Sequence, residues 1–227
     1  MVPQPITGFI FLYNLSAAQV AASDSSSSPP PLLPPTVSPP FYMHQRIGNA
    51  CGTSALLHLS VFASLSDYSL VVEGSWLEKF VFATAGKTPS QVADLLEDDT
   101  ELEEMHTGAA SDVANSTDKG SAEDDVNLHF VALVPAFEAR TDESSGGGSD
   151  GDAASAAAAA STTASSLVGV LELDGRKGVP VLHALSSPSE TFADAAMRVV
   201  KQFMDRDPQE VNFTIVALAK TEETTEE

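Results

Sequence analysis

The sequence predicts an α+β fold on three observations. Amphipathic helical segments crowd the first half of the chain, short β-branched runs crowd the second, and one helix returns among those strands. Polar, small-residue stretches separate these segments. The expected organisation is therefore one domain over residues 1–227, interrupted by pliable insertions.

Each element has its own signal. "ITGFIFLY" at 6–13 reads as a buried strand. Residues 51 to about 62 read as a helix, with Ala55, Leu56, Leu59 and Phe62 sharing a face. A second short helix, around 75–82, carries Trp76, Leu77, Phe80 and Val81. "TPSQ" announces a third: Thr88 as N-cap, Pro89 at the first helical position and Gln91 closing a capping box. That helix should run through Val92, Leu95 and Leu96 toward Met105.

The period then changes. "VNLHFVALV" (126–134), "LVGVLELDG" (167–175) and "GVPVLH" (178–183) read as strands. A helix at 188–204 is expected to start from "SPSE", with Ser187 as cap and Glu190 reaching back. Its buried stripe would be Phe192, Ala196, Val199, Val200 and Phe203, and Asp207-Pro208 would stop it. "VNFTIVALA" (211–219) closes the chain as a strand.

Three segments read as non-core. Residues 21–40 hold seven prolines and six serines, as a polyproline-like or disordered linker would. Residues 107–125 are small and polar, and residues 141–166 contain nothing able to anchor a core, so they read as a low-complexity insertion.

Charge narrows the partners. With 11 basic against 32 acidic residues, the net charge of −21 argues against nucleic acid and anionic membranes. It favours a cationic partner or plain solubility. A single cysteine excludes an internal disulfide framework and a Cys-rich zinc site, and it fits a reducing cytoplasmic or nuclear compartment. The apolar N-terminal run lacks a basic leader region, since the first charged residue is Asp24. The sequons at Asn14, Asn115 and Asn212 would matter only in a secreted protein. No apolar run approaches the length of a membrane span.

The one cysteine sits in "QRIGNACGTSALLHL" (45–59). Gly48 and Asn49 are helix-start residues and Gly52 permits close approach of another chain, so Cys51 falls in the first helical turn. There, unpaired N–H groups and the helix dipole favour a thiolate. A small apolar residue at the start of a buried helix fits the same pattern. A nucleophile would need a base, and the histidines are 44, 58, 106, 129 and 183. His58 lies roughly 10 Å down the same helix, beyond hydrogen-bond reach. His44 precedes the helix and His106 sits in an acidic helix end. The residues alone leave His129, in mid-strand, or His183, at a strand end. Asp174 in "ELDGR" suits a carboxylate that orients an imidazole and equally an Asp-Gly turn.

Four blocks, "QRIGNACGTSALLH", "LHFVAL", "ELDGRKGVPVLH" and "KQFMDRDPQEVNFTIVALA", resemble, in order, the hallmark blocks of the ubiquitin C-terminal hydrolases. The match is to short members without a C-terminal extension. The resemblance implies a papain-like cysteine protease fold, in which the nucleophile helix packs against a central antiparallel sheet. It implies Cys51 as nucleophile, His129 as general base and acid, and Asp174 as the group that orients and charge-balances His129. Gln45 would donate to the oxyanion beside the Cys51 backbone N–H, and His183 matches a family histidine with no catalytic role.

The implied activity is hydrolysis of small adducts or short extensions from the C-terminal glycine of ubiquitin, through a thioester, by a monomer that needs no cofactor or metal. The alternatives are a catalytically impaired ubiquitin-binding module and a hydrolase for a ubiquitin-like modifier such as Nedd8. By the same resemblance, 107–125 spans a crossover loop above the active site, within a region (97–125) of eleven acidic residues that could steer ubiquitin's basic tail. A further N-terminal segment is expected before the first strand, the 21–40 linker is less charged than in the family, and 141–166 enlarges what is otherwise a tight turn.

Overall fold

The computed structural model of the chain describes residues 5–24, 32–111, 128–139 and 166–220. In chain order the elements are β1 (Ile6–Asn14), α1 (Ala17–Asp24), α2 (Cys51–Ser66), a 3-10 turn (Tyr68–Leu70), α3 (Trp76–Thr84), α4 (Pro89–Glu97) and α5 (Thr100–Ser111). Then follow β2 (Leu128–Phe137), β3 (Leu167–Leu173), β4 (Val181–Ala184), α6 (Phe192–Arg206) and β5 (Thr214–Ala219). The strands form one sheet of order β4-β3-β2-β1-β5, with every pairing antiparallel.

The period of two along the strands divides their apolar residues between two layers. Phe9, Phe11, Tyr13, Val131, Leu133 and Val170 face α6, where Ala195, Ala196, Val199, Val200 and Phe203 meet them. Ala132, Val134, Ala136, Leu171 and Leu173 face the other way, onto Ala55 and Leu59 of α2. Helix α2 also turns Leu57 and Val61 toward Phe80, Val81, Val92 and Leu96 of α3 and α4. It is thus buried on two sides, and no helix among the described residues is long and apolar enough to cross a membrane.

That double burial corrects the expected face of α2. Leu56 is 54 % exposed, whereas Leu57 is 6 % exposed. Ala55, Leu59 and Phe62 do belong to the sheet-facing stripe. Leu56 falls in the gap between the two stripes, which a single-stripe reading cannot anticipate.

Capping accounts for the other differences. The Thr88 and Gln91 capping box is present as expected. The helix it starts, however, breaks at Asp98, and α5 begins afresh because the Asp99 carboxylate accepts from Leu102 N–H and from the Trp76 indole N–H, both at 2.8 Å. Leu95, expected inside, is 37 % exposed. Helix α6 starts later than expected, capped by Thr191 accepting from Asp194 N–H at 3.2 Å. Glu190 instead accepts from Ser186 N–H and pairs with Arg198. Ala195 joins the α6 stripe, with Phe192 packed at its edge.

Helix α1 occupies part of the expected linker. It docks through Gln19, whose amide donates to the Phe203 carbonyl at the end of α6, 2.7 Å away. Of that linker, 25–31 lie outside the described residues. The stretch 32–40 is pinned, not loose: Val37 is buried and bridges to Glu138, and Ala139 N–H donates to Thr36 O at 2.7 Å. Residues 107–111 end α5, while 112–127 and 141–165 lie outside the described residues. The two ends of the latter connection meet where Glu138 N–H donates to Ser166 O at 3.0 Å.

Phe203 packs on Phe11 at 5.5 Å and on Tyr13 at 4.8 Å between ring centroids. Phe203→Ala should destabilise the fold by about 3–5 kcal/mol, read as a lowered denaturant midpoint at unchanged m-value.

Candidate active site

Cys51 is the first residue of α2, and the turn before it explains its exposure. Asn49 takes a left-handed backbone (φ 57°), which asparagine tolerates better than most residues. Ala50 follows as N-cap with no side chain to bond the first-turn amides, and no acidic residue stands in that turn. A Ser or Asp cap would satisfy those N–H groups; here they stay available to a negative charge. The thiol is half-buried, and its sulfur lies 3.9 Å from the Leu128 carbonyl at the start of β2. A Cβ at Gly52 would meet the Phe130 ring of β2 only at ordinary contact distance, so the close approach expected of this glycine does not require it.

His129 arrives from the sheet's other face, opposite Tyr13 of β1 in the strand register. Both its ring and Asp174 are buried, at 2 % and 4 % exposure, and His129 Nε2 lies 2.9 Å from Asp174 Oδ1. With Nε2 so engaged, Nδ1 is left for the thiol, to which the ring is hydrogen-bonded. Tyr13 stands edge-on behind the imidazole, centroids 5.6 Å apart and planes at 89°.

The electrostatics follow from this contact. Partial burial pushes the Cys51 thiol up, but the His129 hydrogen bond, the Phe130 and Gly52 backbone and the imidazolium charge outweigh it, so the thiol ionises below its ordinary range. Burial pulls His129 down, yet Asp174 and the thiolate together hold it up to about 9. The contact therefore favours the thiolate beside the imidazolium over the neutral pair.

Asp174 fulfils both roles left open by the sequence. Its Oδ1 accepts from Arg176 N–H at 3.0 Å, as a turn aspartate does, while holding His129. The turn is anchored from outside by the Tyr42 hydroxyl, which lies against the carbonyls of Asp174 and Lys177. Gly175 O accepts from Gln45 N–H at 2.7 Å, and a Cβ at Gly175 would stand 2.9 Å from the Gln45 Cβ. Glycine is the residue that allows this approach.

Gln45 is thereby brought beside the Asp174 turn. Its side-chain Nε2 donates to Ile47 O at 3.2 Å, and its Oε1 is buried without a partner. No hydrogen bond joins it to Cys51 among the described residues.

The remaining histidines serve elsewhere. His58 is fully buried, stacked on Tyr42 at 5.2 Å, and accepts from Met43 N–H; burial pushes it down to about 4. His44 bonds Ser90 and Gly178, His106 is exposed on α5, and His183 pairs with Glu172. Tyr42, Tyr13 and Gly175 escaped the sequence reading. Gly175, adjoining Asp174 in "ELDG", was the one with a usable signal. An apolar groove of about 640 Å³, lined by Phe41, Val61, Leu65 and Phe82, touches Tyr42 but contains none of Cys51, His129 and Asp174.

The sequence profile described as ubiquitin carboxyl-terminal hydrolase, family 1, matches residues 1–145, well over half the chain. The chain belongs to that family. It is 28 % identical over 221 residues to ubiquitin carboxyl-terminal hydrolase 3 of Arabidopsis thaliana, covering 97 % of this chain and 77 % of that protein. Isozyme L1 of Homo sapiens is 29 % identical over 221 residues, covering 96 % and 81 %. Among solved structures, the fold is similar to the Trichinella spiralis UCH37 catalytic domain, crystallised bound to ubiquitin vinyl methyl ester. That match has a TM-score of 0.61 and 20 % identity, and covers 96 % of this chain and 78 % of that one. The papain-like α+β architecture of the ubiquitin carboxyl-terminal hydrolases is thus present here.

The charge pair of this hydrolase sets its pH profile. His129 keeps its proton until about pH 9, so substrate turnover should fall along an alkaline limb near 9. Asp174→Asn removes the contact that raises His129, so that limb should move to lower pH.

Proposed function

We infer that this chain is a cysteine-type deubiquitinase. Family membership names the substrate class, and the single supporting observation is a half-buried thiol at an uncapped helix start, bonded to a histidine that a buried aspartate holds. The Cys51 thiolate attacks the carbonyl carbon of ubiquitin's C-terminal glycine, and the carbonyl electrons move to oxygen. The oxyanion is met by the Cys51 backbone N–H and, after its amide leaves Ile47 O, by Gln45. As the oxyanion collapses, the C–N bond breaks and His129 gives its proton to the departing amine, leaving a thioester. His129 then takes a proton from water, the hydroxide adds to the thioester, and the C–S bond breaks to return the thiolate and imidazolium.

Asp174 keeps His129 in the tautomer and orientation that both steps need. The thiol, base and aspartate come from one chain, in keeping with action as a monomer, and a free nucleophilic cysteine suits the cytoplasm or nucleus, where thiols stay reduced. The exposed acids Glu97, Asp98, Glu101, Glu103 and Glu104 support steering of a cationic tail toward the site.

Incubation with ubiquitin bearing a C-terminal electrophile should give a covalent adduct at Cys51, absent in Cys51→Ala. A folded wild-type protein that gave none would overturn the enzymatic reading, and retained ubiquitin binding would then identify a binding module. The same probe built on Nedd8 reads the preference between modifiers.

Gln45→Ala should lower kcat by about 10²–10³ with a smaller effect on KM, because the lost donor acts on the developing oxyanion. Steady-state kinetics on a fluorogenic ubiquitin C-terminal amide measures it.

A further inference from the structure

A second buried carboxylate lies two residues before Asp174 and has no part in the reaction described above. Glu172 is on β3, on the α6 side of the sheet with Val170, and is 1 % exposed. In register it stands between Leu133 of β2 and Val181 of β4. Its Oε1 accepts from Lys177 Nζ, and its Oε2 lies 2.9 Å from His183 Nε2, which therefore carries the hydrogen. Burying a charge in this way is costly unless partners compensate it, and here two partners do. Burial pushes the Glu172 carboxyl up, but His183 and Lys177 hold it down to about 2, so it stays ionised.

Its partners lead to the catalytic pair. Lys177 is the last residue of the turn that carries Asp174: its N–H donates to Asp174 O at 2.9 Å, and its own carbonyl meets the Tyr42 hydroxyl. Asp174 Oδ1 reaches His129 from that turn while also accepting the turn's Arg176 N–H. His183, on β4, grips the carboxylate from the far side of β3. The field of both carboxylates reaches the Tyr13 hydroxyl behind His129, where burial first, then Asp174 and Glu172, disfavour its ionisation.

We propose that Glu172 is a positioning residue for catalysis: by holding Lys177 and His183 it fixes the turn 174–177, and with it the orientation in which Asp174 grips His129. This rests on the thiol-hydrolase reading of Cys51 and His129. Glu172 touches neither substrate nor reacting atoms; it acts through the backbone of the turn.

The test compares wild type, Glu172→Gln, Glu172→Asp and Lys177→Met in the full chain, each checked for folding by circular dichroism. Glu172→Gln keeps the shape and loses the charge grip. It should lower kcat roughly 10- to 100-fold with KM changed far less, since small misplacements of a catalytic group cost that much. It should also move the alkaline limb of the pH profile downward and weaken the downfield NMR signal of the proton shared by His129 and Asp174. Glu172→Asp should recover part of each effect. If Glu172→Gln does not fold, Lys177→Met, which leaves His183 on the carboxylate, should show the same shifts. Folded variants with wild-type kcat, pH profile and NMR signal would overturn the proposal, as would a change confined to KM. Should wild type prove inert toward ubiquitin, iodoacetamide alkylation against pH and the NMR signal still report on the pair, so the two failures are separable.

Discussion

One carboxylate oxygen, Oδ1 of Asp174, has to serve the backbone of its own turn and the ring of His129 at once. Both groups are almost dry, where an electrostatic contact is stronger than in water and a misplaced one is more costly. The surrounding chain is arranged around that demand. Tyr42 closes the turn from the outside, Gly175 lets the segment carrying Gln45 approach, and Lys177 ties the turn's end to Glu172. Held in this way, Asp174 favours the protonated form of His129, and the protonated His129 favours ionisation of Cys51.

The sheet makes the meeting possible because it separates the two side chains until its end. Cys51 belongs to the layer of α2, whereas His129 points with Tyr13 and Val131 into the layer of α6. They touch where β2 begins and the Leu128 carbonyl stands beside the sulfur. Packing then does the positioning: Phe203 on α6 supports Tyr13, and Tyr13 backs the imidazole. On the other side, His58 stacks on Tyr42 and accepts from Met43, so helix α2 and the Asp174 turn share a neutral, buried brace.

Much of the fold was legible because each strand and most helices announce themselves by period and cap. Thr88 with Gln91 is a complete local statement, and it appears as read. The misreadings occur where a local signal had a rival. Ser187 and Thr191 both suit a cap, and Arg198 decided between them by claiming Glu190. Asp99 splits one expected helix because Trp76, 23 residues earlier, binds the same carboxylate that caps α5. Leu56 is exposed because α2 is buried on two sides, a fact of its neighbours and not of its own sequence. Helix α1, short and weakly patterned, is held by Gln19 against the end of a helix 184 residues away.

By itself the sequence determined the chemistry on offer: one thiol at a helix start, a histidine within a strand, an aspartate at a turn, and an order of blocks that marks the family. Those are properties of residue type and short-range spacing. The resemblance pointed to His129, but the residues alone could not separate it from His183. The tertiary structure decided that His129 meets Asp174 across 45 residues while His183 turns to Glu172, and that Asp174 is at once turn residue and orienter. Strand register and burial set those distances, and both exist only once the sheet has closed over its two layers.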